Sequence, residues 1–253
     1  MTALGALKLL VVDDRDVGST AADAVLAGLP ATRSRIGVAT GATPLPLYWE
    51  LARRAAAGTI DLSSATLVAL DEYVGLGQGN PRSYAAYVHD VIAGPLRIDA
   101  TRVLVPDGLA PDPDRAADAF ERAIAALGGV DVQIAGLGAN GHLAFNEPGS
   151  ALDSTTRTVE LSAETRHDNA RFFADRFSDV PTRAITQGLG TISRARSIVL
   201  AVRGANKARA LRATLAGPVT SAVPASILQE HPAVTVIADR TAAVLLPSPE
   251  EDR

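Results

Sequence analysis

Short runs of β-branched and other apolar residues alternate along the chain with longer alanine-rich segments. The runs are typical of strands buried on both faces of a sheet, and the longer segments are typical of amphipathic helices. The pattern predicts strands over residues 7–12, 35–40, 66–70, 102–105, 130–136, 196–202 and 233–238. It predicts helices over residues 18–29, 44–57, 83–92, 114–127 and 205–215, with Asp112 or Asp114 as the cap of the fourth.

This alternation indicates an α/β fold, namely a doubly wound, mostly parallel, Rossmann-like sheet flanked by helices. The sequence contains no internal repeat and no low-complexity segment, and the proline- and aspartate-rich stretch 106–113 is short enough to be an ordinary loop. We therefore expect residues 1–253 to form a single domain.

Composition narrows the classes of function. The chain has no cysteine, which excludes disulfides, thiolate nucleophiles and cysteine-ligated zinc. A formal net charge of −4 argues against binding to nucleic acid. No apolar stretch approaches the ~20 residues that span a membrane, and the apolar run 7–12 leads directly into Asp13 and Asp14 rather than into a signal-peptide cleavage site. These features predict a cytoplasmic protein that binds neither membrane nor nucleic acid.

Polar and glycine-rich clusters follow four of the predicted strands. In open parallel sheets the ligand binds beyond the carboxyl ends of the strands, so clusters at these positions are expected to form one site. The four clusters are TGAT at 40–43, DEY at 71–73, GLGANGH at 136–142 and RGANK at 203–207.

The 40–43 cluster has two interpretations. Its backbone N–H groups and two hydroxyls, placed before a helix N-terminus, suit a phosphate, or Thr43 is simply the N-cap of that helix. It is not a Walker loop, because no GKS or GKT follows. The glycines of 136–141 are poor evidence for a dinucleotide site, because no acidic residue ends a following strand and His142 stands where a helix would begin.

Asp71 and His142 are candidates for acid–base chemistry. Asp71 follows an apolar strand, so burial is expected to raise its pKa and make it a better base near neutral pH; a turn or cap is the alternative role. His142 is followed closely by Asn146 and Glu147, which resembles a base with its orienting partner. The remaining histidines have no zinc-binding spacing, and His231, before a proline, is expected to make a structural hydrogen bond.

Arg171 and Lys207 are candidate phosphate ligands. Arg171 is followed by two phenylalanines that can hold its side chain. Lys207 stands in the first turn of a predicted helix, where the helix dipole disfavours a cation unless an anion is bound between them.

Taken together, five segments resemble the glucosamine-6-phosphate deaminase family. They are ATGATP (39–44), LDEYVG (70–75), GLGANGHLAFNEP (136–148), TRHDNARFF (165–173) and ASILQEH (225–231), and the resemblance extends from about residue 7 to 238. The sister 6-phosphogluconolactonases share the sheet and a glycine-histidine loop. They usually carry an arginine after the Asp-Glu pair, however, where this chain has Tyr73, and a different ending after the histidine.

The resemblance implies that glucosamine 6-phosphate and water become fructose 6-phosphate and ammonia. Asp71 would remove the C2 proton, and His142, oriented by Asn140 and Glu147, would open the sugar ring. The implied substrate-binding residues are Thr40, Gly41, Ala42, Thr43, Gly138, Arg171 and Lys207. The resemblance implies neither a metal nor any other cofactor.

The resemblance also bears on partners and regulation. The expected partner is the small-molecule substrate, and the family is compatible with a homo-oligomer. Allosteric relatives carry a basic residue two positions after the arginine that matches Arg157, and a tyrosine near the C-terminus. Here the first position is Val159, and the sequence ends soon after Leu246, so activation by N-acetylglucosamine 6-phosphate is not expected. The alternatives are a 6-phosphogluconolactonase and a non-catalytic sugar-phosphate-binding regulator.

Overall fold

The computed structural model describes residues 2–4 and 7–247. Within them the strands are β1 (Thr2–Leu4), β2 (Leu7–Val12), β3 (Arg35–Val38), β4 (Thr66–Ala69), β5 (Asp71–Tyr73), β6 (Val103–Leu104), β7 (Val132–Gly136), β8 (Arg157–Glu160), β9 (Arg183–Thr186), β10 (Ser197–Val202) and β11 (Val234–Asp239). The α-helices are α1 (Val17–Gly28), α2 (Leu45–Ala56), α3 (Tyr84–Tyr87), α4 (Pro113–Ala126), α5 (Ala163–Asn169), α6 (Leu189–Ser193) and α7 (Ala208–Ala216). Short 3₁₀ segments are Asp14–Asp16, Ala100–Arg102, Ala170–Phe173, Phe177–Asp179, Ala205–Lys207 and Pro224–Glu230.

The large sheet has the strand order β1-β2-β11-β10-β7-β3-β4-β6. All of its neighbouring strands pair in parallel except β1, which pairs antiparallel with β2 at one edge. The predicted doubly wound, mostly parallel sheet in a single domain is therefore confirmed. The domain was predicted over residues 1–253, of which residues 1, 5, 6 and 248–253 lie outside the described residues.

Helices cover both faces of this sheet, as the continuous apolar strands require. In β10, Leu200 packs in the layer that contains Leu211 of α7, whereas Val199 packs on the other face with Val25 of α1. Full burial of one such side chain contributes about 1.5–3 kcal/mol, so both layers stabilise the sheet strongly. The carboxyl ends of the central strands are thereby held at one rigid edge.

The N-termini of α4 and α2 answer two questions about capping residues that the sequence left open. Asp112, not Asp114, caps α4, since its carboxylate accepts hydrogen bonds from the N–H groups of Asp114 and Arg115. The cap position of α2 is Pro44, and no side chain makes a capping hydrogen bond there. The interpretation of Thr43 as an N-cap is therefore wrong, and its hydroxyl remains available to the cavity described below.

The predicted helix 83–92 is correct in position but not in type. Ser83 caps it by accepting from the N–H of Ala86, and only α3 has α-helical hydrogen bonding. The chain then widens into a π-helical segment, Val88–Ala93, in which the N–H of Gly94 donates to the carbonyl of His89. The predicted strand 102–105 also shortens, because only Val103–Leu104 pairs with β4.

A second, three-stranded sheet was not predicted. Its order is β5-β9-β8, and both pairings are antiparallel. It packs beside an aromatic cluster that includes Tyr73, Phe145 and Phe173. The small sheet begins two residues after β4 ends, so Asp71 lies at the junction of the two sheets.

In the part of the chain that the structure describes, no helix is both long and apolar enough to cross a membrane.

Candidate active site

A cavity of about 160 Å³ lies at the edge of the large sheet where β3, β4 and β7 end. Residues from all four polar clusters line it, so the prediction that these clusters meet at one edge of the sheet is confirmed. The lining residues are Ala39, Thr40, Gly41, Ala42, Thr43, Pro44, Leu70, Asp71, Tyr84, Gly136, Leu137, Gly138, His142, Ala144, Phe145, Thr165, Asp168, Asn169, Arg171, Phe172 and Lys207.

Asp71 reaches the cavity because the chain changes sheets there. The N–H of Leu70 still bonds to Val38 of the large sheet, whereas Asp71 pairs with Thr186 in the small one. Asp71 is 5% exposed, and its Oδ1 atom has no hydrogen-bond partner among the described residues. Burial, followed by the negative charge of Glu72, raises the pKa of Asp71 to about 8. The expectation of a desolvated carboxylate is confirmed.

The 40–43 loop joins β3 to the N-terminus of α2. Gly41 has a φ of +105°, a conformation that favours glycine. Two phenols hold the loop: the Tyr87 hydroxyl donates to the carbonyl of Gly41 over 3.0 Å, and the Tyr48 hydroxyl donates to that of Ala39 over 2.7 Å. The backbone N–H groups of the loop and the positive dipole end of a twelve-residue helix make this a favourable place for an anion.

Two cations line the same cavity as the 40–43 loop. Lys207 ends the 3₁₀ turn before α7, and burial lowers its pKa; Asp168 raises it and Arg171 lowers it further. The guanidinium of Arg171 lies over the Phe172 ring, 4.8 Å from its centroid, which confirms the predicted aromatic support. Both cations approach from segments far apart in sequence, so the fold, not local spacing, brings them together.

His142 closes a tight turn after β7. The N–H of Gly138 donates to the carbonyl of His142 over 3.0 Å. A Cβ atom at position 138 would lie 2.4 Å from ring atoms of His142, so only glycine allows the imidazole to lie against the backbone there. The Nδ1 atom of His142 lies 3.8 Å from Oε2 of Glu147 and has no hydrogen-bond partner within residues 7–247.

Asn140 and Glu147 lie behind His142 and do not line the cavity. The Asn140 amide donates to Oε2 of Glu147 over 2.7 Å, and its Oδ1 accepts from the backbone N–H of His142 over 3.2 Å. The Thr165 hydroxyl donates to the other oxygen of Glu147. Burial raises the pKa of Glu147, but the side chains of His142, Thr165 and Asn140 together lower it to about 2. Asn140 therefore contacts Glu147 and the backbone, not the imidazole ring.

Several cavity residues were not singled out from the sequence. Thr165, Asp168, Asn169 and Phe172 recur every three or four positions, and this helical spacing was a usable signal for one face of α5 and the turn after it. Tyr84 gave no such signal, because an aromatic residue in a helical segment is usually part of the core. His231, by contrast, makes the expected structural bond, to the carbonyl of Ala195 over 2.8 Å.

The family model for glucosamine-6-phosphate isomerases/6-phosphogluconolactonase matches residues 14–237. The chain belongs to this family. It is 48% identical over 236 residues to a glucosamine-6-phosphate deaminase of Cutibacterium acnes, covering 93% of this chain and 90% of the relative. It is 44% identical over 239 residues to a glucosamine-6-phosphate deaminase of Streptomyces avermitilis, covering 94% and 92%.

Solved structures agree with the sequence relatives. A monomeric glucosamine-6-phosphate deaminase superimposes with a TM-score of 0.90 at 35% identity, covering 94% of this chain and 99% of that one. A 6-phosphogluconolactonase from Trypanosoma cruzi superimposes with a TM-score of 0.79 at 20% identity, covering 98% and 99%. The second likeness shows a shared fold alone.

Proposed function

We propose that this chain converts glucosamine 6-phosphate and water to fructose 6-phosphate and ammonia. The observation that carries the proposal is the buried carboxyl of Asp71, whose Oδ1 has no partner in the described structure, in one cavity with His142, Lys207 and Arg171. A general base, a second proton-transfer group and two cations suit a phosphorylated sugar. The deaminases of Cutibacterium acnes and Streptomyces avermitilis support the same assignment.

The phosphate is proposed to bind between the 40–43 loop and the two cations. Thr40, Gly41, Ala42 and Thr43 offer backbone N–H groups and hydroxyls at the start of α2. Lys207 and Arg171 supply positive charge, and Gly138 borders the cavity close to His142. Binding energy from the phosphate, which does not itself react, fixes the position of C2 against the base and so accelerates the chemical step.

His142 is proposed to open the sugar ring. It would move a proton from the anomeric hydroxyl to the ring oxygen, which breaks the C1–O5 bond and leaves an aldehyde at C1. Glu147 lies 3.8 Å from Nδ1 and supplies a compensating negative charge when the imidazole carries a proton. Asn140 holds Glu147 in place through its amide.

Asp71 is proposed to carry out the isomerisation. Its carboxylate removes the C2 proton of the open-chain sugar, and the freed electron pair forms a C1–C2 double bond. The C1=O double bond becomes a single bond, and its oxygen takes a proton, which gives an enolamine with a hydroxyl at C1. Return of a proton to C1 gives an imine at C2. Water then adds to C2 and the C–N bond breaks, so ammonia leaves and the C2 ketone of fructose 6-phosphate remains.

One coupled assay tests the function. The purified chain is incubated with glucosamine 6-phosphate, and both ammonia and fructose 6-phosphate are measured; a parallel sample with 6-phosphogluconolactone is followed by acid release. Equal amounts of ammonia and fructose 6-phosphate are expected. Acid release alone would indicate a lactonase, and binding without turnover of either compound would indicate a regulator.

The proposed substrate also bears on location and assembly. A phosphorylated sugar is charged and does not freely cross an apolar bilayer, so we propose that the chain works in the cytoplasm. The homo-oligomer considered from the sequence is tested by light scattering on the purified chain.

A further inference from the structure

Glu72, the neighbour of Asp71, is a buried carboxylate to which the proposed mechanism gives no role. Its relative exposure is 0%, and it faces away from the active-site cavity into a second one lined by Gln78, His89 and Asp107 among others. Its Oε1 atom accepts from the N–H groups of Tyr73 over 2.8 Å and Tyr84 over 3.0 Å. Its Oε2 accepts from the N–H of Ala85 over 2.8 Å. A carboxylate held by three backbone donors has a fixed position.

Two of these bonds, from Tyr84 and Ala85, connect the strand that carries Asp71 to the start of α3. The α-helical part is a single turn that continues into the π-helical segment Val88–Ala93, and the two bonds to Glu72 fix where this turn begins. Tyr84 lines the active-site cavity, and its hydroxyl donates to that of Tyr73 over 3.1 Å. Three residues later, Tyr87 donates to the carbonyl of Gly41 in the 40–43 loop. Glu72 therefore links the base to the proposed phosphate site through one turn of helix.

The two adjacent carboxyl groups differ in their hydrogen bonding. Burial raises the pKa of Glu72, and hydrogen bonds from the N–H groups of Ala85, Tyr84 and Tyr73 offset part of this rise. Asp71 has no such donor on Oδ1 in the described chain, so of the two groups Glu72 is better able to hold the negative charge. The titratable or charged groups around Asp71 are Glu72 and Tyr73 on its strand, Tyr84 on α3, and His142, Asp168, Arg171 and Lys207 on the cavity wall.

We propose that Glu72 is a positioning residue with two effects on the deamination. Through α3 it fixes the distance between Asp71 and the 40–43 loop, and through its charge it favours the protonated form of Asp71. The inference rests on the proposed function, in which Asp71 takes the C2 proton. Glu72 itself touches no substrate atom in this scheme, because it lies outside the active-site cavity.

Two substitutions separate the effects. Glu72→Gln removes the charge and turns an amide N–H₂ toward at least one of the three backbone donors. Glu72→Asp keeps the charge but is one methylene too short to reach both Tyr84 and Ala85. The control is Glu121→Gln on α4: Glu121 is partly buried, accepts from Thr156 and Thr191 and pairs with Arg194, outside the active-site cavity.

We expect Glu72→Gln to lower kcat by about 10²-fold, the loss typical of a small misplacement of a reacting group. The acidic limb of kcat/KM is expected to move to lower pH, because loss of the neighbouring negative charge lowers the pKa of Asp71. Glu72→Asp is expected to lower kcat with the limb unmoved. Glu121→Gln is expected to keep both the wild-type kcat and the wild-type limb.

The measurements are pH–rate profiles, thermal melts and the rate of C2–H exchange with solvent for each variant. An unmoved limb in a folded Glu72→Gln, or an equal loss of activity in Glu121→Gln, would overturn the proposal. If Glu72→Gln does not fold, Tyr87→Phe tests the link to the loop. It is expected to raise KM on the order of a few-fold with a smaller change in kcat, and an unchanged KM would overturn the link.

The activity of the wild-type chain distinguishes a failure of the proposed function from a failure of the proposed role of Glu72. Absence of ammonia release from glucosamine 6-phosphate by the wild-type chain would contradict the proposed function before any variant is compared. Normal turnover by the wild-type chain together with normal profiles of the Glu72 variants would contradict the positioning role alone.

Discussion

Oε2 of Glu147 lies 3.8 Å from Nδ1 of His142 but only 2.7 Å from the Asn140 amide nitrogen. The carboxylate is therefore held by Asn140 and Thr165, and it acts on the imidazole through charge rather than through a hydrogen bond. Such a group becomes more important as the imidazole gains a proton, because only the protonated ring is a cation. Glu147 is thus placed as a counter-charge whose ionised form the fold favours.

Glu147→Gln is expected to lower thermal stability most at neutral pH. The folded protein lowers the pKa of Glu147 from 4.5 to about 2, so its stabilising effect is fully present above about 4.5 and is lost as the pH falls toward 2. Melting temperatures of the wild type and the variant between pH 3 and 7 should therefore converge in acid. The control Glu160→Gln, at an exposed position of β8, should match the wild type throughout. A difference that does not depend on pH would contradict this prediction.

Asp71→Asn is expected to abolish deamination while sugar-phosphate binding is retained. The amide has the shape of the carboxyl group but cannot accept the C2 proton, and a positioned base contributes roughly 10²–10⁴-fold. Turnover, C2–H exchange with solvent and calorimetric binding of the product are measured, with exposed Asp118→Asn as the control. Near wild-type exchange in Asp71→Asn would show that another group is the base.

The kcat/KM of the wild type is expected to fall as the pH falls through about 8, where Asp71 becomes protonated. The base acts only when ionised, so activity is gained above this pKa and lost below it. The residual rate of Asp71→Asn serves as the comparison, because it retains the ionisation of the substrate but lacks the carboxyl group. If kcat/KM falls with pH in the same way in both proteins, the fall is caused by ionisation of the substrate and not of Asp71.

Lys207→Ala is expected to raise KM strongly and to lower kcat as well, because the anchored phosphate also aligns C2. The sequence contains one other lysine, Lys8, which is exposed on β2 and makes Lys8→Ala a matched loss of charge. Steady-state kinetics of both variants are compared with the wild type. An unchanged KM in Lys207→Ala would remove this residue from the phosphate site.

Kinetics in glucosamine 6-phosphate are expected to be hyperbolic and insensitive to N-acetylglucosamine 6-phosphate. An activator must bind one state better than another, and a phosphorylated one needs a charged pocket. Val159 packs against the aromatic cluster of the small sheet, and Arg157 is already bonded to Asn146 and Ser150. Substrate titrations with and without millimolar N-acetylglucosamine 6-phosphate measure the Hill coefficient and any activation. A Hill coefficient clearly above one that falls on adding effector would contradict it.

The large sheet could be predicted because its strands are buried on both faces and read as unbroken apolar runs. The small sheet could not, since β5, β8 and β9 have only three or four residues each and include charged ones such as Glu160 and Arg183. Their pairing depends on contacts between residues 23 to 115 positions apart, such as Glu160 with Arg183 and Asp71 with Thr186. Local pattern carries no information about such register.

Candidate site residues could be predicted where a chemically reactive or charged side chain directly follows a strand. Asp71, His142 and Lys207 follow strands of the large sheet, so the sheet-edge rule was enough to place them together. The hydrogen-bond partners of the site residues were harder to predict. That Asn140 bonds to Glu147 and not to the imidazole ring depends on the turn between Gly138 and His142, whose shape the sequence pattern does not specify.

The 40–43 loop enters α2 between two phenols, with the carbonyl of Ala39 bonded to Tyr48 and that of Gly41 bonded to Tyr87. An arriving anion meets a backbone that is already fixed, so little conformational entropy has to be lost on binding. Association is then limited by diffusion and orientation rather than by a folding step of the loop. Removing both hydroxyls would turn a rigid receptor into one that must order itself around each ligand.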